Sequence, residues 1–141
     1  MTQLDVAELQ EILRSSFPDH DVPVVEALEG DTVTVSASLD ERHGRPGGTV
    51  SGPTMMTLAD TAAWVVILAH AGPQLLAVTT SLHIDFLRKP ALTDLLARGR
   101  LLKLGRALAV VDVELFSRGA SDLVAKAQVT YSLPPAASAS A

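Results

Sequence analysis

Residues 53–71, PTMMTLADTAAWVVILAHA, decide the expected fold, and residues 55–71 within them are the most apolar stretch of the chain. Proline suits the first turn of a helix because its missing N–H has no intrahelical acceptor there, and Gly72-Pro73 would end the helix. The stretch is apolar nearly all round, which predicts a helix buried on most sides. It contains Asp60 and His70 and is short for a membrane span, so we interpret it as a core helix.

Antiparallel β-structure is expected on both sides of this helix along the chain. Apolar patterning between turn-forming residues predicts six strands, at residues 22–28, 32–39, 75–88, 95–104, 107–116 and 123–133. A short amphipathic helix is expected at about residues 3–15, and the Gly-rich residues 40–51 predict an exposed loop. The fold class is therefore α+β, with one long helix, at about residues 53–71, wrapped by an antiparallel sheet.

The last two strands can be paired by pattern if the turn lies at residues 118–121. The expected pairs are Val111–Val129, Val113–Ala127 and Leu115–Ala125 on the inner face, and Asp112–Gln128 and Glu114–Lys126 on the outer face. A turn near Gly105 further predicts Arg98 opposite Asp112 and Gly99 opposite Val111. Gly99 and the inner alanines would leave a trough that the helix fills, although an Ala-rich composition alone would also produce small residues there.

The composition narrows the class of protein. The 141 residues suit one domain, expected over residues 1–133, with a disordered Pro- and Ala-rich tail at residues 134–141. The net charge of −5 and the lack of a basic stripe exclude nucleic acid as an expected partner. The absence of cysteine excludes disulfides, thiolate metal sites and a thiol nucleophile. The acidic N-terminus has no secretory pattern, so we expect a cytoplasmic protein with no membrane partner.

Asp60 is a lone carboxylate near the middle of the apolar helix. Burying an unpaired charge in such a position costs on the order of several kcal/mol, or else the carboxylate becomes protonated. One interpretation is a general base or nucleophile whose pKa is raised by desolvation. The other is a structural carboxylate bonded to nearby backbone or to hydroxyls such as those of Thr57 or Thr61.

Gly52 lies at the start of the same helix, where free N–H groups and the helix dipole favour developing negative charge. Gly52-Pro53 is equally explained as a helix-start signal. Eight residues at about 1.5 Å rise separate Gly52 from Asp60 by roughly 12 Å along one helix. The two residues therefore cannot serve one carbonyl group within one chain, and if both act, the site should lie between two subunits.

The sequence gives little support to a metal site or to a serine nucleophile. The four histidines have no paired carboxylate or histidine at metal-ligand spacing, so no metal is expected. Ser51 does not lie in a nucleophile-elbow pattern, which disfavours a serine hydrolase. Arg88, Lys89, Arg98 and Arg100 could meet the phosphates of a nucleotide-bearing ligand, and a solvated strand end explains them equally well.

Residues 48–53, GTVSGP, followed by residues 58–62, LADTA, closely resemble the hotdog-fold thioesterases of the phenylacetate-pathway type. The likeness extends to residues 79–90, TTSLHIDFLRKP, and to residues 105–127, and it covers about residues 30–133. It implies a hotdog fold, a central helix in a curved antiparallel sheet that pairs into dimers and often tetramers. It also implies hydrolysis of acyl-CoA thioesters with no metal and no cofactor beyond the coenzyme A of the substrate.

The resemblance assigns roles to three residues. The family's helix carboxylate falls on Asp60, its oxyanion glycine on Gly52, and its hydroxyl residue at the start of the next strand on Thr79. In such enzymes the carboxylate acts as base or nucleophile while the glycine N–H polarises the carbonyl across the subunit interface. This implied arrangement agrees with the distance between Gly52 and Asp60 along the helix.

The chain departs from the family pattern beside the expected site. The family usually has His-Gly-Gly where this chain has Ser51-Gly52-Pro53, and a loop Asn where it has Arg45. We expect the substrate to contact Arg45, Ser51, Pro53, Thr80, Arg88 and Lys89. Arg45 would read a phosphate or an acidic acyl group.

Three functions follow from the resemblance. The first is an acyl-CoA thioesterase, and the second is an acyl-CoA-binding or regulatory protein that has kept the fold and the pocket. A hotdog dehydratase is disfavoured because no histidine accompanies Asp60 at a suitable spacing.

Overall fold

The computed structural model describes residues 2–135, which form a curved six-stranded antiparallel sheet around one long helix. The helices are α1 (Val6–Ser16) and α2 (Gly52–Ala71), and a 3-10 turn covers Glu41–His43. The strands are β1 (Val24–Glu29), β2 (Thr32–Ala37), β3 (Gly44–Arg45), β4 (Thr49–Val50), β5 (Val78–Phe86), β6 (Leu95–Leu104), β7 (Leu108–Ser117) and β8 (Leu123–Ser132). The main sheet has the order β1-β2-β6-β7-β8-β5, and β3 and β4 form a separate pair. The expected α+β fold class is thus confirmed.

The central helix α2 begins at Gly52, one residue before the expected start at Pro53. Ser51 is its N-cap, because the Ser51 hydroxyl accepts a hydrogen bond from the Thr54 N–H at 3.3 Å. Gly72 ends the helix with φ 86°, a left-handed conformation that glycine adopts without strain. By length and apolarity α2 would reach across a bilayer, but 61% of its most apolar window is buried inside the fold, as in a core helix.

The N-terminal helix α1 begins at Val6, three residues later than expected. Asp5 and Glu8 form a capping box, in which the carboxylate of each accepts a hydrogen bond from the backbone N–H of the other. The backbone N–H of Gln3 instead donates to the carbonyl of Ala69 at 2.6 Å. The predicted start was too early because the spacing of apolar residues does not show which residue caps the helix.

Residues 40–51 are more regular than the exposed loop that was expected. They contain the 3-10 turn and the β3–β4 pair, and two further backbone bonds hold them, one to residue 90 outside the segment and one within the segment. The Val50 N–H donates to the Pro90 carbonyl at 3.1 Å, and the Ser51 N–H donates to the His43 carbonyl at 2.8 Å. This segment therefore enters α2 from a defined direction.

The β7–β8 register agrees at every expected pair, including Val111 with Val129 and Glu114 with Lys126. The β6–β7 register was wrong by two residues, because Gly99 pairs with Val113 and Arg98 pairs with Glu114. The turn between β6 and β7 places Leu104 opposite Ala109, which moves the pairing away from the expected register. An extra residue in β6, Leu102, reduces this displacement by one residue, to two. The remaining shift is even, so every side chain keeps its expected face.

The trough for the helix is present at Gly99. A Cβ atom on Gly99 would lie 2.8 Å from Cγ2 of Val66 in α2, closer than such atoms approach one another. The neighbouring inner residues Ala97, Ala125 and Ala127 are fully or almost fully buried. Small residues on the sheet thus set a short distance between β6 and α2, which fixes where the polar side chains of the helix lie.

The tail expected at residues 134–141 lies mostly outside the described residues.

Candidate active site

Asp60 is half-buried on α2 and is held by two hydroxyl groups from the sheet. The Oδ1 atom of its carboxylate accepts a hydrogen bond from Oγ1 of Thr79 at 2.7 Å and from the hydroxyl of Tyr131 at 3.0 Å. The structural interpretation offered Thr57 or Thr61 as the partner. The Thr57 hydroxyl instead donates to the Pro53 carbonyl at 3.0 Å, and among the described side chains the partners of the carboxylate are Thr79 and Tyr131, not Thr61. The carboxylate is therefore fixed by strands β5 and β8 rather than by its own helix.

A β-bulge in β5 lies next to Thr79, whose hydroxyl bonds this carboxylate. The β5–β8 register pairs Thr79 with Tyr131 and Ser81 with Thr130, so Thr80 is an extra residue in β5. The Thr80 hydroxyl donates to the Thr130 carbonyl at 3.2 Å. Thr80, an expected substrate contact, thus bonds the backbone of the neighbouring strand, while Thr79 reaches Asp60.

Tyr131 is the site residue that the sequence analysis missed. Its side chain is only 6% exposed, and its hydroxyl also donates to the main-chain carbonyl of Asp60 at 3.1 Å. Burial raises the pKa of Tyr131 well above its usual value, and the nearby charge of Asp60 raises it further, while a hydrogen bond with Thr79 partly opposes this. The hydroxyl therefore stays protonated at neutral pH and acts as a hydrogen-bond donor.

Gly52, at the first turn of α2, faces a separate cleft of about 580 Å³. A Cβ atom on Gly52 would lie 3.5 Å from Cζ of Phe86, so the aromatic ring forms the wall beside the helix start. Arg45, Arg88 and Lys89 also line the cleft, and none of the described residues that line it is acidic. In a chain of net charge −5, this cleft is a concentrated positive surface suited to an anionic ligand.

The expected substrate contacts divide into two groups. Arg45, Arg88 and Lys89 lie in the cleft with Gly52, and the Arg88 guanidinium also donates to the Leu123 carbonyl at 2.7 Å. Ser51 and Pro53 flank Gly52. The Ser51 hydroxyl accepts a hydrogen bond from the Thr54 N–H and lies 2.8 Å from the Thr54 hydroxyl, with which it shares a second hydrogen bond. Ser51 is therefore placed to begin the helix.

Gly52 and Asp60 are not brought together within the chain. Both belong to α2, about 12 Å apart along its axis, and Asp60 does not line the Gly52 cleft. A second cavity of about 770 Å³ lies between α2 and the β1–β2 end of the sheet, and it contains none of the expected site residues.

One edge of the sheet is open beside the cleft. Strand β5 pairs only with β8 in the described chain, and its residues are mostly exposed. The large apolar side chains that are exposed in or next to β5 are Leu75, Leu76, Val78, Phe86 and Leu87. A strand that is open along one side and carries exposed apolar side chains is the usual mark of a surface that pairs with another chain.

Comparison with known proteins agrees with this geometry. Residues 47–131 match the family described as the thioesterase superfamily. A protein of Silicibacter sp. TM1040 that has been assigned as a thioesterase is 44% identical, with a TM-score of 0.86 over 96% of this chain and 95% of that one.

Two further solved structures are informative. The phenylacetic acid degradation protein PaaI from Thermus thermophilus is 28% identical, with a TM-score of 0.67 over 78% of this chain and 91% of that one. The protein smu.793 from Streptococcus mutans, solved with acetyl-CoA, is 26% identical, with a TM-score of 0.70 over 82% of this chain and 90% of that one. The resemblance to hotdog thioesterases of the phenylacetate-pathway type is thereby confirmed.

Proposed function

The chain belongs to the thioesterase superfamily, and we propose that it hydrolyses acyl-CoA thioesters to a free acid and coenzyme A. The observation that carries this proposal is the half-buried Asp60 carboxylate, held by Thr79 and Tyr131 on an otherwise apolar helix. A carboxylate fixed in this way, and still open to an incoming ligand, is suited to act as general base or nucleophile.

The second working group is the backbone N–H of Gly52. At the first turn of α2 this N–H has no acceptor within the helix, and the helix dipole adds to its attraction for an oxyanion. Hydrogen bonding to the thioester oxygen would stabilise the negative charge that develops there when the carbonyl carbon is attacked. The distance along α2 requires that Gly52 of one chain work with the Asp60 carboxylate of another.

A second copy of this chain is the partner that this arrangement needs. The open β5 edge, with its exposed apolar side chains, supports a homodimer formed beside the Gly52 cleft. Two such dimers would make the tetramer that the family resemblance also allows. No nucleic acid or membrane takes part, and the expected location remains the cytoplasm.

The positive cleft supports coenzyme A as the leaving group. Coenzyme A carries phosphates, and Arg45, Arg88 and Lys89 surround the cleft at the helix start. The Streptococcus mutans neighbour was solved with acetyl-CoA, which is in line with a ligand of this class. Arg45 would contact either a phosphate of coenzyme A or an acidic acyl group.

The reaction needs neither a metal nor a cofactor, since Asp60 supplies the base or nucleophile and Gly52 the oxyanion donor. We therefore expect full activity after dialysis against a chelator.

A second candidate is an acyl-CoA-binding protein without turnover. The observation that favours it is the helix start, where Ser51 is engaged as a cap and Pro53 has no N–H to offer. Gly52 would then be the remaining donor among these three residues.

A panel of acyl-CoAs, assayed for thiol release with wild type and Asp60→Asn, separates the two functions. Turnover by wild type and its loss in Asp60→Asn, with binding retained, supports the thioesterase. Tight binding with no turnover by either protein would leave only the binding function.

A further inference from the structure

The two oxygens of the Asp60 carboxylate have different surroundings. Both hydroxyl donors, Oγ1 of Thr79 at 2.7 Å and the Tyr131 hydroxyl at 3.0 Å, reach Oδ1. No side-chain hydrogen bond within residues 2–135 reaches Oδ2. The carboxylate is thus held through Oδ1, while Oδ2 has no donor among the described side chains.

Tyr131 is more firmly placed than Thr79. Its ring is buried on β8, whereas Thr79 is exposed on the edge strand β5 in the single chain. Its hydroxyl lies within hydrogen-bond distance of both Oδ1 and the main-chain oxygen of Asp60. Because both acceptors belong to one residue, the hydroxyl fixes the Asp60 side chain relative to its own backbone.

The Tyr131 hydroxyl is a permanent donor. The ordinary pKa of tyrosine already lies above neutrality, and burial raises the pKa of Tyr131 further, so the hydroxyl keeps its proton at working pH. A donor of this kind stabilises the charged carboxylate and restricts its rotation. Its effect on the reaction would pass through Asp60, because the Tyr131 side chain is only 6% exposed and its hydroxyl contacts that residue.

We infer that Tyr131 is a positioning residue, which holds Oδ1 of Asp60 so that Oδ2 is the oxygen that reacts. This inference rests on the proposed thioesterase function. If Asp60 is the nucleophile, Oδ2 bonds to the carbonyl carbon, the C–S bond breaks, and the sulfur leaves with the electron pair and is protonated by solvent. Water then hydrolyses the mixed anhydride to the free acid and restores the carboxylate.

If Asp60 is instead the base, Oδ2 takes a proton from the water that attacks the carbonyl carbon. The tetrahedral intermediate collapses, the C–S bond breaks, and the proton passes to the departing sulfur. In both routes the products are the free acid and coenzyme A. In both routes Oδ2 has to be the reacting oxygen, facing the carbonyl carbon in the first and the attacking water in the second.

The test compares Tyr131→Phe with wild type, with Asp60→Asn and with Thr61→Val. Thr61→Val removes a hydroxyl next to Asp60 on α2 that does not bond to the carboxylate, and it serves as the matched control. Loss of the Tyr131 hydroxyl should lower kcat about ten- to a hundredfold, as expected for a misplaced reacting group. KM should stay within about threefold, because no substrate contact is removed.

Besides the split between kcat and KM, two readouts separate positioning from a structural role. The thermal unfolding midpoint of Tyr131→Phe should lie above the assay temperature, so that the variant is folded when its rate is measured. In an Asp60→Asn background, Tyr131→Phe should cause no further loss of rate.

A wild-type kcat in Tyr131→Phe, or a further loss of rate when Tyr131→Phe is added to Asp60→Asn, would overturn the inference. The comparison of Asp60→Asn with wild type would still report on the thioesterase function. A wild-type protein that turns over no acyl-CoA would end both.

Discussion

The hydroxyl of Tyr131 lies 3.0 Å from Oδ1 of Asp60 and 3.1 Å from the main-chain oxygen of the same residue. This contact joins strand β8 to the middle of α2, so the place of the carboxylate depends on how closely the sheet and the helix approach. That approach is set by small inner residues, above all Gly99. The core packing and the chemistry of the site are therefore linked.

Replacing Gly52 tests the backbone donor directly. Proline is compatible with the first helical position and lacks an N–H, so Gly52→Pro should fold and lose about a hundredfold or more in kcat. Gly52→Ala keeps the N–H, and its Cβ would make an ordinary contact 3.5 Å from Phe86, so it should retain most of the activity. Thiol-release kinetics of both variants, with circular dichroism as a check on folding, make the comparison. Equal activities would remove Gly52 from the mechanism.

Mixing two inactive variants tests whether the site is shared between chains. In a dimer that contains one Asp60→Asn chain and one Gly52→Pro chain, one site has a normal Gly52 and a normal Asp60. Random exchange makes half the dimers mixed, so activity should recover to about a quarter of wild type. The measurement is activity after unfolding and refolding the mixture together. No recovery despite mixed dimers on a native gel would place both groups in one chain.

Arg45 is expected to act in binding. Arg45→Ala should raise KM for acyl-CoAs about tenfold, with little change in kcat, because a charged contact common to ground and transition states is lost. Simple thioesters that lack the nucleotide distinguish the ligand group. If Arg45 binds a phosphate, these small substrates should be unaffected, whereas an acidic acyl group would show the defect with either thiol. An unchanged KM for every acyl-CoA tried counts against any substrate contact.

The packing of Gly99 against Val66 predicts a large stability effect from one methyl group. Because the added Cβ would lie 2.8 Å from the Val66 side chain, Gly99→Ala should lower the free energy of unfolding by about 1–3 kcal/mol. Val66→Ala in the same chain should recover part of the loss. Urea unfolding of the two single variants and the double variant measures the coupling. Additive losses would show that the two side chains do not meet.

The ion pair between Glu26 and Arg118 predicts a pH-dependent contribution to stability. The Arg118 guanidinium holds the pKa of Glu26 below its usual value, so the folded state favours the charged carboxylate. Its stabilisation is present above the unfolded pKa and is lost as pH falls through the folded one. Glu26→Gln should therefore cost up to about 1 kcal/mol at neutral pH and nothing in strong acid. A cost that is constant from neutral to acidic pH would contradict this account.

The parts of the fold that follow local rules were predictable. Gly52-Pro53 and Gly72-Pro73 bracket α2 within one residue, and the polar ladder of β7 and β8 gave the right register. The β6–β7 register failed because it depends on turn length and on the extra residue Leu102, neither of which alternation reveals. Turn and bulge geometry is decided by packing as well as by sequence.

The site was predictable in part. Asp60 stood out because a carboxylate is rare in an apolar helix, and Thr79 came from the family resemblance. Tyr131 escaped notice because an aromatic residue near a strand end resembles any core residue. A signal was present, however, since the inward alternation Ala125, Ala127, Val129 leads next to Tyr131. Following that alternation toward the polar residue of the helix would have found it.

The open edge at β5 has a further consequence for an enzyme whose working groups come from two chains. At protein concentrations below the dissociation constant of the pair, the number of complete sites would grow with the square of the chain concentration. Specific activity would then fall on dilution and recover on concentration. Under the proposed arrangement, the cell could set the rate of thioester turnover by how much of the protein it makes, with a response steeper than proportional.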